Sequence, residues 1–159
     1  IVTIPPGASQ IVRIGALRKS DVRSELAYRL QLDEIPSPAP PDFKGLQVVL
    51  KVSLPVFLQP VAPARAKLET SLSVNESKHV ALRIANNGNA SAHLRDVSLL
   101  SADATETVLA TYTNSIYVLA GQQRTVVLKP ATFDPGKKYL IKAGTPSGPT
   151  QLHAITVPQ

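Results

Sequence analysis

Between Leu46 and Leu54 an aliphatic residue falls at every second position: Leu46, Val48, Leu50, Val52 and Leu54. Side chains share a face at a spacing of two only in an extended chain, so this run predicts a strand over residues 45–57 with one wholly apolar face. Val49 and Val56 add apolar groups that read as belonging to the other face. Both sides of the strand therefore ask for cover, where an ordinary half-exposed strand asks for it on one.

The same period recurs upstream. In "SELAYRLQLDEIP" the residues Leu26, Tyr28, Leu30 and Leu32 alternate with Ala27, Arg29, Gln31 and Asp33, which predicts a half-buried strand ended at Pro36. Gln10–Ile14 reads as a further strand after the Pro5-Pro6-Gly7 turn, preceded by an extended piece. The segment "SPAPPDFKG" between the two long runs can join neither a helix nor a central strand, because proline lacks the amide donor. "LQPVAPARA" then looks like a stiff linker between domains.

From Ala66 onward about seven strand-like pieces follow one another, separated by turn signals at Asn86-Asn87-Gly88, Ala120-Gly121 and Asp134-Pro135-Gly136. That number of short strands in about 100 residues describes an immunoglobulin-like sandwich. The first 60 residues offer about four strands, too few for a second sandwich of that kind. The fold class is therefore all-β, an immunoglobulin-like β-sandwich in two domains with the first one incomplete: residues 1–60 and residues 61–159. Fourteen prolines and 43% hydrophobic residues fit short strands and punctuated turns better than a helical bundle.

The chemistry-bearing residues are sparse. His79, His93 and His153 stand singly within strand-like runs, without a second ligand at metal-site spacing, so no metal is expected. Asp33 and Glu34 are adjacent, point to opposite faces of a strand, and cannot share one reacting bond. No phosphate-cradling glycine loop or nucleophile elbow is present, and neither enzyme activity, a cofactor nor a small-molecule substrate is expected. The net charge of +6 permits acidic partners, but the basic residues form no run and only four Tyr and three Phe exist to stack on bases, which argues against nucleic acid. Cysteine is absent, so no disulfide framework exists.

Taken in order, "PPGASQIVRI", "SELAYRLQLDEIP", the proline-rich loop, "GLQVVLKVSLPVF" and the Gln-Pro boundary resemble the second half of the N-terminal domain of periplasmic pilus chaperones of the chaperone-usher pathway. "LRIANNGNASAHL" and "AGQQRTVVL" look like their C-terminal domain. The "LPVF" ending and the long proline loop look most like the archaic-type branch.

The resemblance implies a function. Such chaperones bind pilin subunits, which are sandwiches lacking a strand, by lending one of their own; chaperone–pilin complexes are the standard example of this strand addition. Leu46, Val48, Leu50 and Val52 would then enter the client groove, Val49 would face the protein's own core, and an outer-membrane usher would receive the client in the periplasm. The family's carboxylate-anchoring Lys has Pro55 in its place, and its partner Arg would precede Ile1, which leaves Arg13 and Arg29 as candidate anchors. The resemblance places further strands of the first domain before Ile1, and an exposed sheet of this kind invites self-association. The alternatives are a pilin- or adhesin-like structural subunit and a generic immunoglobulin-like binding module; subunits usually carry a disulfide and an N-terminal donor segment, whereas this candidate donor is internal.

Overall fold

A computed structural model describes residues 1–17, 22–74, 79–130, 133, 134 and 136–156, without the side chains of Gln151 and of residues 153–156. His153, Pro135 of the Asp134 turn, and Val157 thus lie wholly or in their side chains outside the described residues. Among the described residues the regular structure is all strand: β1 Leu26–Asp33, β2 Lys51–Leu58, β3 Leu68–Val74, β4 Val80–Asn86, β5 Ala92–Ser101, β6 Val108–Tyr112, β7 Ile116–Val118, β8 Gln123–Leu128, β9 Lys138–Thr145 and β10 Gly148–Thr156.

Two sheets pack into the sandwich. One runs β3-β4-β8 and the other β10-β9-β5-β6, with β7 also paired to β5. Leu72, Val80, Leu82, Ile84, Val126 and Leu128 point inward from the first. Leu94, Val97, Leu99, Val118, Ile141 and Leu152 meet them from the second, and both sets are buried because alternate residues of each strand share the inner face. β5 serves two neighbours on one edge: Ala92–Leu94 pair with β7, and after a register shift at Asp96, whose φ is 48°, Val97–Leu100 pair with β6. The turn signal at Ala120-Gly121 falls where the chain passes from β7 to β8 in the other sheet, with Gly121 at φ 69°.

A buried asparagine ties the sandwich to the segment that enters it. The Asn86 side chain is 1% exposed, and its amide donates to the carbonyls of Ala90 (2.8 Å) and Val118 (2.9 Å). Its oxygen accepts from the amides of Lys67 (3.1 Å) and Gly88 (3.0 Å), so every hydrogen-bonding position of the carboxamide is used. The entering chain runs so close to the turn that a Cβ on Gly88 would sit 2.2 Å from the Arg65 carbonyl oxygen. Asn89 completes the strap by accepting from the Arg65 amide (2.7 Å) and donating to the Pro63 carbonyl (3.2 Å).

The first part of the chain is different in kind. β1 and β2 form an antiparallel two-stranded sheet, and the core residues all come from the sandwich. One expected strand is absent and one is shortened. Gln10–Ile14 lies in no ladder, and the strand expected over residues 45–57 begins only at Lys51. Alternation makes a segment able to be a strand; a neighbouring strand makes it one, and among the described residues none pairs with Gln10–Ile14 or with residues 45–50.

Candidate functional site

The β1/β2 register sorts the hairpin into two unlike faces. Leu26, Tyr28, Leu30 and Leu32 stand opposite Leu58, Val56, Leu54 and Val52, and direct partners share a face, so one side of the hairpin is entirely apolar. The parity runs unbroken through Pro55. Val56 therefore belongs with Leu54 on the apolar face, which corrects its assignment to the other side. On the reverse face Arg29 donates to the Ser53 hydroxyl (3.2 Å) and Lys51 approaches Asp33 (3.7 Å).

The apolar face is only partly covered: Tyr28 is 58% exposed and Leu54 46%, while Leu30, Val52, Val56 and Leu58 are half-buried. A shallow groove separates it from the passing segment at Ile14–Leu17. Upstream of β2 the chain continues outside the ladder, with Leu46 86%, Val48 77% and Leu50 64% exposed. Glu34 holds this extension beside the end of β1, since its amide donates to the Leu50 carbonyl (2.9 Å) and its carboxylate accepts from the Leu50 amide (2.7 Å). Gln47 adds a side-chain bond to the Ser37 carbonyl (2.8 Å).

Of the four donor-strand candidates, Val52 is thus on β2, partly buried, while Leu46, Val48 and Leu50 lie on the exposed extension. Val49, expected to face a core, is half exposed, because the hairpin has no core on either side. Arg13 lies exposed in the N-terminal segment outside any sheet, and Arg29 projects from the polar face, so the structure does not gather these two around one anion. The β2 edge away from β1 has no partner strand among the described residues, leaving backbone groups available to an incoming strand.

The arrangement offers an aliphatic surface and an open strand edge. Those features suit strand pairing and apolar burial. Among the described residues no group of His, Cys, Asp or Glu is placed to hold a metal ion.

A cleft between hairpin and sandwich is lined by Glu25, Phe57, Gln59, His93, Tyr117 and Thr145. Glu25 bridges it: its amide donates to the Asn89 carbonyl (2.7 Å) and its carboxylate accepts from the Ser91 amide (2.9 Å). Phe57 stacks on Tyr117 at 5.7 Å, and Tyr117 on His93 at 4.2 Å. Partial burial, with the Arg95 guanidinium nearby, pushes the His93 pKa below its ordinary value. The sequence carried no signal for this column, because Phe57, His93 and Tyr117 are distant along the chain and each has a bland reading by itself.

In a comparison with protein families, residues 1–64 match the family described as pili and flagellar-assembly chaperone, PapD N-terminal domain. The first part of this chain is therefore similar to that domain. The matched stretch contains the hairpin, the segment before β2 and the start of the linker, which is the part of the molecule with the exposed apolar face. Comparison with curated proteins gives no match.

Proposed function

We propose that this protein is a chaperone that captures pilin subunits by donor-strand complementation, lending Leu46, Val48, Leu50 and Val52 to a client sandwich that lacks a strand. One observation supports the reading above others: an alternating aliphatic row, mostly solvent-exposed, runs into a strand whose outer edge is unpaired. Four such side chains, if fully buried, supply about 6–12 kcal/mol before the costs of association. Main-chain bonds along the edge fix register and keep the client from pairing with other subunits. The step needs no cofactor.

In this reading residues 1–60 form the later part of the capturing domain and residues 61–159 the C-terminal domain. Capture occurs in the periplasm, and the client passes to an outer-membrane usher when a competing strand displaces the lent one. Arg29 or Arg13 anchors the client's terminal carboxylate, Arg29 being the better placed of the two because the hairpin fixes its backbone. In the absence of client, the bare hairpin is available for self-association.

Amide exchange tests the mode. In a complex with a pilin subunit, the amides of Val49 and Lys51, which point to the edge away from β1, become protected while those of the β3-β4-β8 sheet do not change; a complex that leaves both unprotected is held by another surface.

A further inference from the structure

The hairpin is attached to the sandwich at one end. Leu26 and Leu58 are register partners, and both contact routes to the sandwich lie beside them: the Glu25 bonds to Asn89 and Ser91 just before β1, and Phe57 against Tyr117 near the end of β2. Asp33 and Lys51 form the other end of the ladder. Seven steps of about 3.3 Å between Leu26 and Asp33 put that end about 23 Å away along the strands. A tilt of about 10° at the root displaces the far end by about 4–5 Å, the spacing of adjacent strands in a sheet. Whatever fixes the root therefore decides where the exposed row is presented.

The two Glu25 bonds, one from its amide and one to its carboxylate, act as a pivot, since they hold one short segment and leave rotation about it open. The ring column resists that rotation. Phe57 and Tyr117 are inclined by 30°, and behind Tyr117 the His93 ring lies nearly parallel at 3°, on the neighbouring strand position. His93 is in turn hydrogen-bonded to the Ser115 hydroxyl. The load from β2 thus passes through Tyr117 into β5, a central strand of the sandwich.

We infer that Phe57, Tyr117 and His93 form a strut that sets the angle of the hairpin to the sandwich, with Phe57 a positioning residue for client capture. The link to capture rests on the proposed donor-strand function; the strut itself does not. The chain has no cysteine, so spin labels on cysteines introduced at Gln31 and Thr125, both exposed, report one distance between hairpin and sandwich.

In the client-free protein, pulsed dipolar spectroscopy should give a single narrow distance distribution. Phe57→Leu and Tyr117→Leu, which keep apolar volume but lose the ring, should each broaden it at least twofold while the sandwich's melting stays within a few degrees. The double variant should broaden it no further, and Tyr117→Phe should restore the narrow distribution. An unchanged distribution in both Leu variants, or a broad one in Tyr117→Phe, overturns the strut. Because no client is present, that failure would leave donor-strand capture standing, whereas a wild-type protein that fails to capture a pilin subunit while its distribution is narrow would count against the capture reading alone.

Discussion

Leu32 and Val52 face each other across the β1/β2 ladder, and that single pairing fixes the face on which every other residue of the hairpin lies. It places Val52, Leu54, Val56 and Leu58 on the face of Leu26–Leu32 and sends Arg29, Asp33 and Lys51 to the reverse. One apolar side, one polar side and an unpaired edge are what a strand-lending hairpin requires.

The Lys51–Asp33 contact on the reverse face is expected to matter little. Both side chains are largely in water, 80% and 52% exposed, where an ion pair is worth about 0–1 kcal/mol. Lys51→Ala should change neither urea midpoint nor client affinity by more than about twofold; a tenfold loss of affinity would mean that Lys51 itself contacts the client.

Asn86 should be the most sensitive single polar residue of the sandwich. Asn86→Ala leaves two buried carbonyls and two amides without partners, a cost of about 2–5 kcal/mol. Asn86→Asp should be no milder, because a carboxylate cannot donate to Ala90 and Val118 and is buried as a charge. Urea denaturation measures both; a loss under 1 kcal/mol in either would show that the four bonds are not made together in solution.

Gly88→Ala should loosen the entering strap. Its Cβ would meet backbone atoms of Arg65, Ala66 and Lys67, which have no flexible end to move aside, at a cost of about 1–3 kcal/mol. Faster amide exchange at Lys67, Asn87 and Asn89 would report the displacement, and unchanged exchange would contradict it.

Stability should fall on mild acidification through His93. Its folded-state pKa lies below the ordinary value of 6.5, so between the two values the unfolded chain binds more protons and stability rises with pH. The contribution is whole above pH 6.5 and is lost as pH falls through the folded value. Urea midpoints from pH 7.5 to 5 should decline in the wild type and decline less in His93→Gln; parallel curves would remove His93 from the effect.

The fold was legible wherever period and punctuation agreed. "VALRIAN" and "LETSLSV" became β4 and β3 because alternate positions reach the inner face, and Asn86-Asn87-Gly88 turned where those residues turn most readily. The strand expected at Gln10–Ile14 failed for a reason no local pattern contains: its pairing partner must come from elsewhere. Asn86 read as a turn residue, and its four bonds depend on Lys67, Gly88, Ala90 and Val118 converging from separate segments. The exposed row at 46–52 was visible as alternation; that Arg29 lies on the opposite face from it followed only from the register.

Client affinity and unbound melting, measured side by side for Val48→Asp and Leu50→Asp, test donor-strand capture most directly. Both side chains are mostly in water in the free protein, 77% and 64% exposed, so neither carboxylate should alter melting. In a client groove each must be desolvated without a partner, and a cost of about 4 kcal/mol weakens binding about a thousandfold. The account predicts lost binding to pilin subunits at unchanged melting; retained binding, or parallel loss of binding and stability, would contradict it.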